Sequence, residues 1–435
     1  MLSRPNRLDL SVQWLRSRRL ARTSTAAAFA AGLAMLAARS ASAEALLLVE
    51  AETGKVLHAE NATYPWYPAS VTKLMTTYVT LRAVREGRIA LDSLINVTDN
   101  AVAQQPTKMG FRAGTQVTVD NALKMMMVKS ANDMAVTLAE GVGGSIENFA
   151  NHMNRAAQQL GMTQSSFVNP NGLPNENQVT SARDLAILAR ALIHEFPEYD
   201  LYWHIPAIKL GKRVMRNYNT LIDRYPGADG MKTGFICSAG FNLVATATRG
   251  NKRLIAVVLG APSSSVRAMQ AAQLLEKGFN TNPLSWLLPS LGTLESLAPI
   301  SAAPPDLHES MCGKHRRRPA ARTEEEAAGT SDDPDAASAY AAMHQSLRAQ
   351  KVVLGPLMSS MPPIEVFVGA NKPRPRPVVA HAPSGDSATP APAAKKPVPA
   401  KPAATKPAAA AKPPATKKPS TAAAPSPKPQ AKPGS

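Results

Sequence analysis

Residues 67–76 read Tyr67-Pro68-Ala69-Ser70-Val71-Thr72-Lys73-Leu74-Met75-Thr76, and the fold turns on this stretch. Beyond Pro68, apolar Val71, Leu74, Met75, Tyr78, Val79 and Leu81 recur at roughly helical spacing, which predicts a helix opening near Ser70. Residues three apart share a helix face, so the Ser70 hydroxyl and the Lys73 amine can meet. An amine in that position can take the hydroxyl proton if it is neutral. That requires a Lys pKa lowered from about 10.4 toward 7, a shift of roughly 4 kcal/mol. Partial burial and a second cation nearby are the ordinary means. Ser-x-x-Lys alone is common by chance, so its weight depends on what surrounds it.

Working outward, residues 44–280 read as one folded unit. Ala45–Val49 and Lys55–His58 flank Glu52-Thr53-Gly54 as a hairpin. Asn121–Ala139 is Met-rich and helix-compatible, and Ser145–Leu160 is a helix closed by Gly161. Ser181-x-x-Asp184 opens another helix through His194 with a capping-box signature. Strand signals return at Ala207–Met215, Phe241–Thr248 and Arg253–Leu259, and Ser263–Phe279 closes the unit as a helix. Strands at both ends of the unit, enclosing helices, predict an α+β fold: an antiparallel sheet covered by helices.

The ends of the chain differ from this unit. The 435 residues carry a net charge of +18, which by itself would point to nucleic acid. Residues 1–43 hold seven Arg against one Asp, net +6, and residues 371–435 hold ten Lys and two Arg against one Asp, net +11. The part between is nearly neutral, so a nucleic-acid partner is not expected. Arg16, Arg18, Arg19 and Arg22 before the apolar run Thr23–Ala38, then Ala41-Ser42-Ala43, predict a secretory signal and a mature start at Glu44. From Asn371 the chain is almost only Pro, Ala, Lys, Ser and Thr, too poor in apolar surface to offset its ordering entropy. It reads either as a passive solvated tail or as an electrostatic tether to an anionic envelope. Residues 281–370 are expected to be poorly defined, with a helix near Ala336–Gln350. Chain cut at about Asn280 is expected to keep its activity.

Cys237 and Cys312 are too few for a disulfide framework. Their pairing is not expected, and Cys237 reads as a small buried apolar side chain. No His-Glu-x-x-His pattern or Cys spacing marks a metal site, and no cofactor is expected.

Two further motifs follow Ser70-x-x-Lys73. In Ser130-Ala131-Asn132 a hydroxyl can relay a proton and an amide can hold a peptide carbonyl. In Lys232-Thr233-Gly234, after a turn signal at Asp229-Gly230, a cation and a hydroxyl on a strand can bind a carboxylate. Gly there would let a substrate backbone lie close. Trp66 and Tyr67 would either line a cleft or pack the start of the helix.

The order Ser-x-x-Lys, Ser-x-Asn, Lys-Thr-Gly resembles the penicillin-binding proteins and serine β-lactamases. The segments Tyr67–Thr76, Ser130–Asp133, Asn169-Pro170-Asn171-Gly172-Leu173-Pro174 and Asp229–Phe235 resemble the low-molecular-mass D-alanyl-D-alanine carboxypeptidases. The resemblance covers about residues 44–280. It implies the β-lactamase/transpeptidase-like fold with an all-helical subdomain, export to the periplasm or envelope of a bacterium, and acyl transfer through a covalent serine intermediate. It implies Ser70 as nucleophile, Lys73 as proton acceptor and Ser130 as proton relay. Asn132, Lys232, Thr233 and Gly234 would bind substrate, and the backbone amides of Ser70 and Phe235 would hold the oxyanion. The implied substrate is the peptidoglycan stem peptide ending in D-Ala-D-Ala, with β-lactams as inhibitors. A D,D-endopeptidase on the same scaffold is the alternative. A serine β-lactamase would need a Glu-activated water, whereas the Asn169–Pro174 segment fits the peptidases. The family's usual β-domain and anchoring helix are not evident here; the apolar Ser285–Leu288 is stopped by Pro289.

Overall fold

The computed structural model describes residues 44–280, 290–314, 354–356 and 361–370. All lie in the first of two units, residues 1–375; the second spans 376–435. The expected signal segment, the 336–350 helix, Ser285–Leu288 and the basic tail fall outside the described residues.

In chain order, β1 (Ala45–Glu50) and β2 (Val56–Glu60) form the expected hairpin, and a 3-10 turn (Ala69–Thr72) leads into α1 (Lys73–Arg85). Then come β3 (Leu94–Asn96), α2 (Asp99–Ala103), β4 (Gln116–Thr118), α3 (Val119–Lys129), α4 (Asn132–Gly143), α5 (Ile146–Gln159), α6 (Ala182–Glu195) and α7 (Leu201–His204). The hairpin β5 (Ala207–Leu210) and β6 (Arg213–Arg216) precedes β7 (Ala228–Ile236), β8 (Gly240–Arg249), β9 (Lys252–Ala261) and α8 (Ser264–Phe279). Past these lie α9 (His308–Cys312) and β10 (Ile364–Val366).

The main sheet is antiparallel in the order β2-β1-β9-β8-β7, which leaves β7 at an edge. Strand alternation divides its side chains between two apolar layers. Leu47, Val49, Ile255, Val257 and Leu259 face the core beneath α1 and α3–α6. Leu46, Leu48, Leu254, Ala256 and Val258 face Val266, Ala271 and Leu275 of α8. Each fully buried Val, Leu or Ile side chain among them contributes about 1.5–3 kcal/mol. Hydroxyl N-caps start the helices where the chain leaves extended backbone: Thr118, Ser145, Ser181 and Ser263 accept from Asn121, Asn148, Asp184 and Val266 amides. This is the predicted α+β sheet-and-helix architecture.

Local readings need correction where backbone conformation outweighs pattern. Asn121–Ala139 is not one helix: Ser130 takes a left-handed conformation (φ 57°) and splits it into α3 and α4. Ala207–Met215 is a hairpin rather than a strand, turning at Gly211. Asp229-Gly230 is a bulge within β7, not a turn before it.

The segment after Asn280 also departs from expectation. Lys55 bridges Thr293, Val56 N donates to Gly292 O, and Leu294 N donates to Gly54 O. Leu294, Leu307, Met311 and Val366 are buried in the core of the sheet-and-helix unit. β10 adds a parallel strand to β5. The described parts of 281–370 therefore pack on residues 44–280, and a cut at Asn280 would strip side chains from the core. Among the described residues, no helix is long and apolar enough to cross a membrane.

Candidate active site

Ser70 sits on the 3-10 turn that precedes α1, not on the α-helix itself. Side chains at i and i+3 eclipse on such a turn, and Lys73 Nζ lies 2.8 Å from Ser70 Oγ. The turn is held in place from three sides. Ala69, with φ 50°, occupies the left-handed region, strain of the kind stored at functional sites. Asn242 of β8 donates to the Tyr67 and Pro68 carbonyls at 2.9 and 3.1 Å. Gly172, at φ +80°, packs so closely that a Cβ would overlap the Ala69 carbonyl oxygen. Sequence reading missed Asn242, although a lone amide in an apolar strand was the available signal.

Lys73 is fully buried. Besides Ser70 it reaches Asn132 Oδ1 at 2.8 Å and the Asn171 carbonyl at 2.7 Å. Asn132 cannot flip without loss, because its Nδ2 donates to Gln105 O at 2.9 Å. Both oxygens are therefore obligate acceptors, and the Ser70 hydroxyl is the one among these three partners able to give a proton.

The break between α3 and α4 carries Ser130 and Asn132 to the same place. Thr107 Oγ1 donates to the carbonyls of Lys129 and Ser130, and Asn132 N donates to Thr107 O. Asp133 accepts from the Met109, Gly110 and Met134 amides, which ties the 105–110 loop to α4. Burial pushes its carboxyl above the usual range despite those amides. Opposite, Lys232 Nζ donates to Ser130 Oγ at 3.0 Å and to Thr233 O at 2.9 Å. Thr233 Oγ1 is buried and has no hydrogen-bond partner among the described residues. A Cβ on Gly234 would stand 2.8 Å from Ser70 N and 3.0 Å from Val71 N, so a side chain here would collide with the turn that carries Ser70.

Of the sequence-predicted site residues, Ser70, Asn132 and Phe235 line a cavity of about 560 Å³, with Cys237 and His308 among its other lining residues, whereas Lys73, Ser130, Lys232, Thr233 and Gly234 lie behind its wall. Cys237 is half-buried and bonded to Cys312, with Cα atoms 5.6 Å apart. The expectation of an unpaired apolar thiol is thus overturned. The reason is tertiary: burial of Leu307 and Met311 brings residues 75 positions away against the end of β7. Trp66 is 2% exposed and donates to the Ala239 carbonyl, so it packs the start of the helix. Tyr67 is half-buried; desolvation, Asp306 and Glu176 raise its phenol pKa. No Glu-x-x-x-Asn, the pattern that would hold a β-lactamase's Glu-activated water, is expected between Ser130 and Lys232; Glu147 and Asn151 do have that spacing, but both are exposed on α5 and do not line the cavity. Among the described residues, no group of His, Cys, Asp and Glu is placed to hold a metal ion.

The family model described as D-alanyl-D-alanine carboxypeptidase matches residues 33–263, just over half of the chain. The D-alanyl-D-alanine carboxypeptidase DacA of Haemophilus influenzae is 37% identical over 242 residues, 54% of this chain and 62% of that protein. The crystal structure of penicillin binding protein 5 from Haemophilus influenzae superposes with a TM-score of 0.53 at 37% identity, covering 54% of this chain and 70% of that one. Penicillin-Binding Protein D2 of Listeria monocytogenes in its cefotaxime-bound form gives 0.50 at 30% identity, covering 54% of this chain and 96% of that one. The chain spans 62–64% of the length of the first curated relatives it matches. The matched region contains Ser70-x-x-Lys73, Ser130-x-Asn132 and Lys232-Thr233-Gly234, on a fold shared with solved penicillin-binding proteins. The chain belongs to the D-alanyl-D-alanine carboxypeptidase family of low-molecular-mass penicillin-binding proteins.

Proposed function

We propose that this protein is a serine-type D-alanyl-D-alanine carboxypeptidase that removes the terminal D-Ala from peptidoglycan stem peptides. The observation that carries the reading is the Lys73 amine, buried and 2.8 Å from Ser70 Oγ, with hydrogen bonds also to two obligate acceptors. Ser70 attacks the carbonyl between the two D-Ala residues and passes its proton to Lys73. The developing oxyanion sits between the backbone amides of Ser70 and Phe235; one such donor is typically worth about 10²–10³ in rate. Ser130 Oγ accepts from Lys232, so its own O–H is free to protonate the leaving D-Ala nitrogen, and Lys73 resupplies that proton. Water, deprotonated toward Lys73, then hydrolyses the Ser70 ester and restores the hydroxyl.

Substrate binding follows from the sheet. β7 is an edge strand, open to an added peptide strand. The terminal carboxylate would meet Lys232 and the partnerless Thr233 hydroxyl. Asn132 would hold the acyl chain from the other wall. β-Lactams would enter the same site and acylate Ser70, as the cefotaxime-bound relative supports. Cross-link cleavage uses the same residues and is the alternative.

The Cys237–Cys312 bond supports an oxidising compartment, and with the signal-like residues 1–43 it supports export to the periplasm or envelope. The +11 tail would attach weakly to anionic envelope polymers, and salt should release it.

The deciding experiment supplies a stem pentapeptide, a cross-linked dimer peptide and a penicillin side by side. Release of D-Ala from the first with stalling on the third supports the reading; fast penicillin hydrolysis would overturn it. Lys73→Ala should slow fluorescent-penicillin labelling by about 10²–10⁴. Lys73→Arg should not rescue it, because a guanidinium does not deprotonate.

A further inference from the structure

Resting on the carboxypeptidase reading, we infer that residues Asp306–Cys312 form the acyl-side wall of the substrate cleft. His308 is then a specificity-determining residue for the stem peptide upstream of its D-Ala pair. The direction of the substrate sets where that wall must be. With the carboxylate at Lys232 and Thr233 and the scissile carbonyl near Ser70 and Phe235, the peptide runs antiparallel to β7. Its upstream residues then pass Ile236, Cys237 and Ser238. At about 3.4 Å per extended residue, two or three residues suffice to reach that end.

The cavity that contains Ser70 is bounded there by Ile236, Cys237, Ser238 and His308. The segment bearing His308 is built into the fold. Leu307 N donates to Ser238 O at 3.0 Å, and Leu307 and Met311 are 7% and 5% exposed. Met311 packs against Gly240, whose missing Cβ would stand 3.0 Å from the Met311 methyl. Cys312 is bonded to Cys237 on β7's own continuation. Farther back, Gln164 donates to the Ile300 carbonyl and Arg183 to the Leu294 carbonyl. Residues 291–313 thus form a strap across the molecule that ends, covalently fastened, at the mouth of the cleft.

His308 is exposed. Its backbone amide is taken by Asp306 Oδ1 at 2.9 Å, and its imidazole makes no hydrogen bond to the described residues. A ring with one donor and one acceptor, on a fixed wall, suits the amides and polar side chains of an extended peptide. A short acyl-D-Ala-D-Ala would not extend that far.

The test compares kcat/KM for a stem pentapeptide with that for N-acetyl-D-Ala-D-Ala, in the full chain. His308→Ala should lower the long-to-short ratio about five-fold, the weight of one ordinary hydrogen bond, through the pentapeptide KM, and His308→Gln should restore part of it. The double variant Cys237→Ser/Cys312→Ser, or reduction of the native protein, should lower the same ratio. A ratio unmoved by His308→Ala, or equal loss on both substrates, overturns the wall assignment whatever the cysteine variant does. Wild-type protein that labels with penicillin yet releases D-Ala from neither peptide overturns the carboxypeptidase reading and this inference with it.

Discussion

A Cβ on Gly234 would stand 2.8 Å from the backbone nitrogen of Ser70. The edge strand and the turn that carries Ser70 meet at a residue that lacks a side chain. Gly234→Ala must push β7 away from the turn, because the obstructing atoms are backbone and cannot rotate aside. The expected cost is about 1–3 kcal/mol in stability, and penicillin acylation should slow by more than ten-fold. Denaturant melts and labelling rates measure the two separately. Labelling at the native rate would show that the contact does not set the site's geometry.

Thr233 presents the opposite trade. Its hydroxyl is buried without a partner among the described residues, a state that costs about 1–3 kcal/mol. Thr233→Val keeps the shape and removes the orphan oxygen. The substrate-free protein should therefore gain about 1 kcal/mol, while KM for D-Ala-terminated peptides rises. Calorimetry with peptide kinetics reads both, and a loss of stability would contradict the reading of Thr233 as held ready for a carboxylate.

The Cys237–Cys312 bond closes a separation of 75 residues. By loop entropy it should stabilise the fold by about 4 kcal/mol. Reduction, or the double Ser variant, should lower the melting temperature, and a chain cut at Asn280 should melt lower still, having also lost Leu294, Leu307, Met311 and Val366. Equal melting curves for oxidised and reduced protein would overturn this.

His152 on α5 is held below its ordinary value of 6.5, first by desolvation and then by Arg155 and Arg88. Arg155 lies 3.0 Å from its Nδ1. With the folded pKa depressed, the unfolded chain takes up the proton first. Stability should therefore fall as pH drops through the ordinary histidine range, and this contribution is spared above it. NMR titration should place the His152 midpoint below 6.5, and Arg155→Ala should raise it.

Much of this was legible in the chain itself. The helical spacing after Pro68, the hairpin at Glu52–Gly54 and the Ser181 cap are local patterns, and local patterns survive folding when burial agrees with them. The split of Asn121–Ala139 was not legible, because one left-handed residue, Ser130, leaves the apolar periodicity intact on either side of the break. Nor did spacing reveal Asn242 or Asn171, which act on the site through a side-chain amide and a backbone carbonyl from distant strands and loops.

The sequence by itself determined which groups are the candidates for the chemistry, because three short motifs stand in a fixed order. It also determined that the net charge of +18 lies at the two ends and not on the catalytic unit. Tertiary structure alone decided how Lys73 is turned toward Ser70, why position 234 is Gly, and that the strap ending at Cys312 closes one end of the cleft. Those outcomes depend on packing and hydrogen bonds between residues far apart in sequence, and no local pattern encodes which distant segment will arrive.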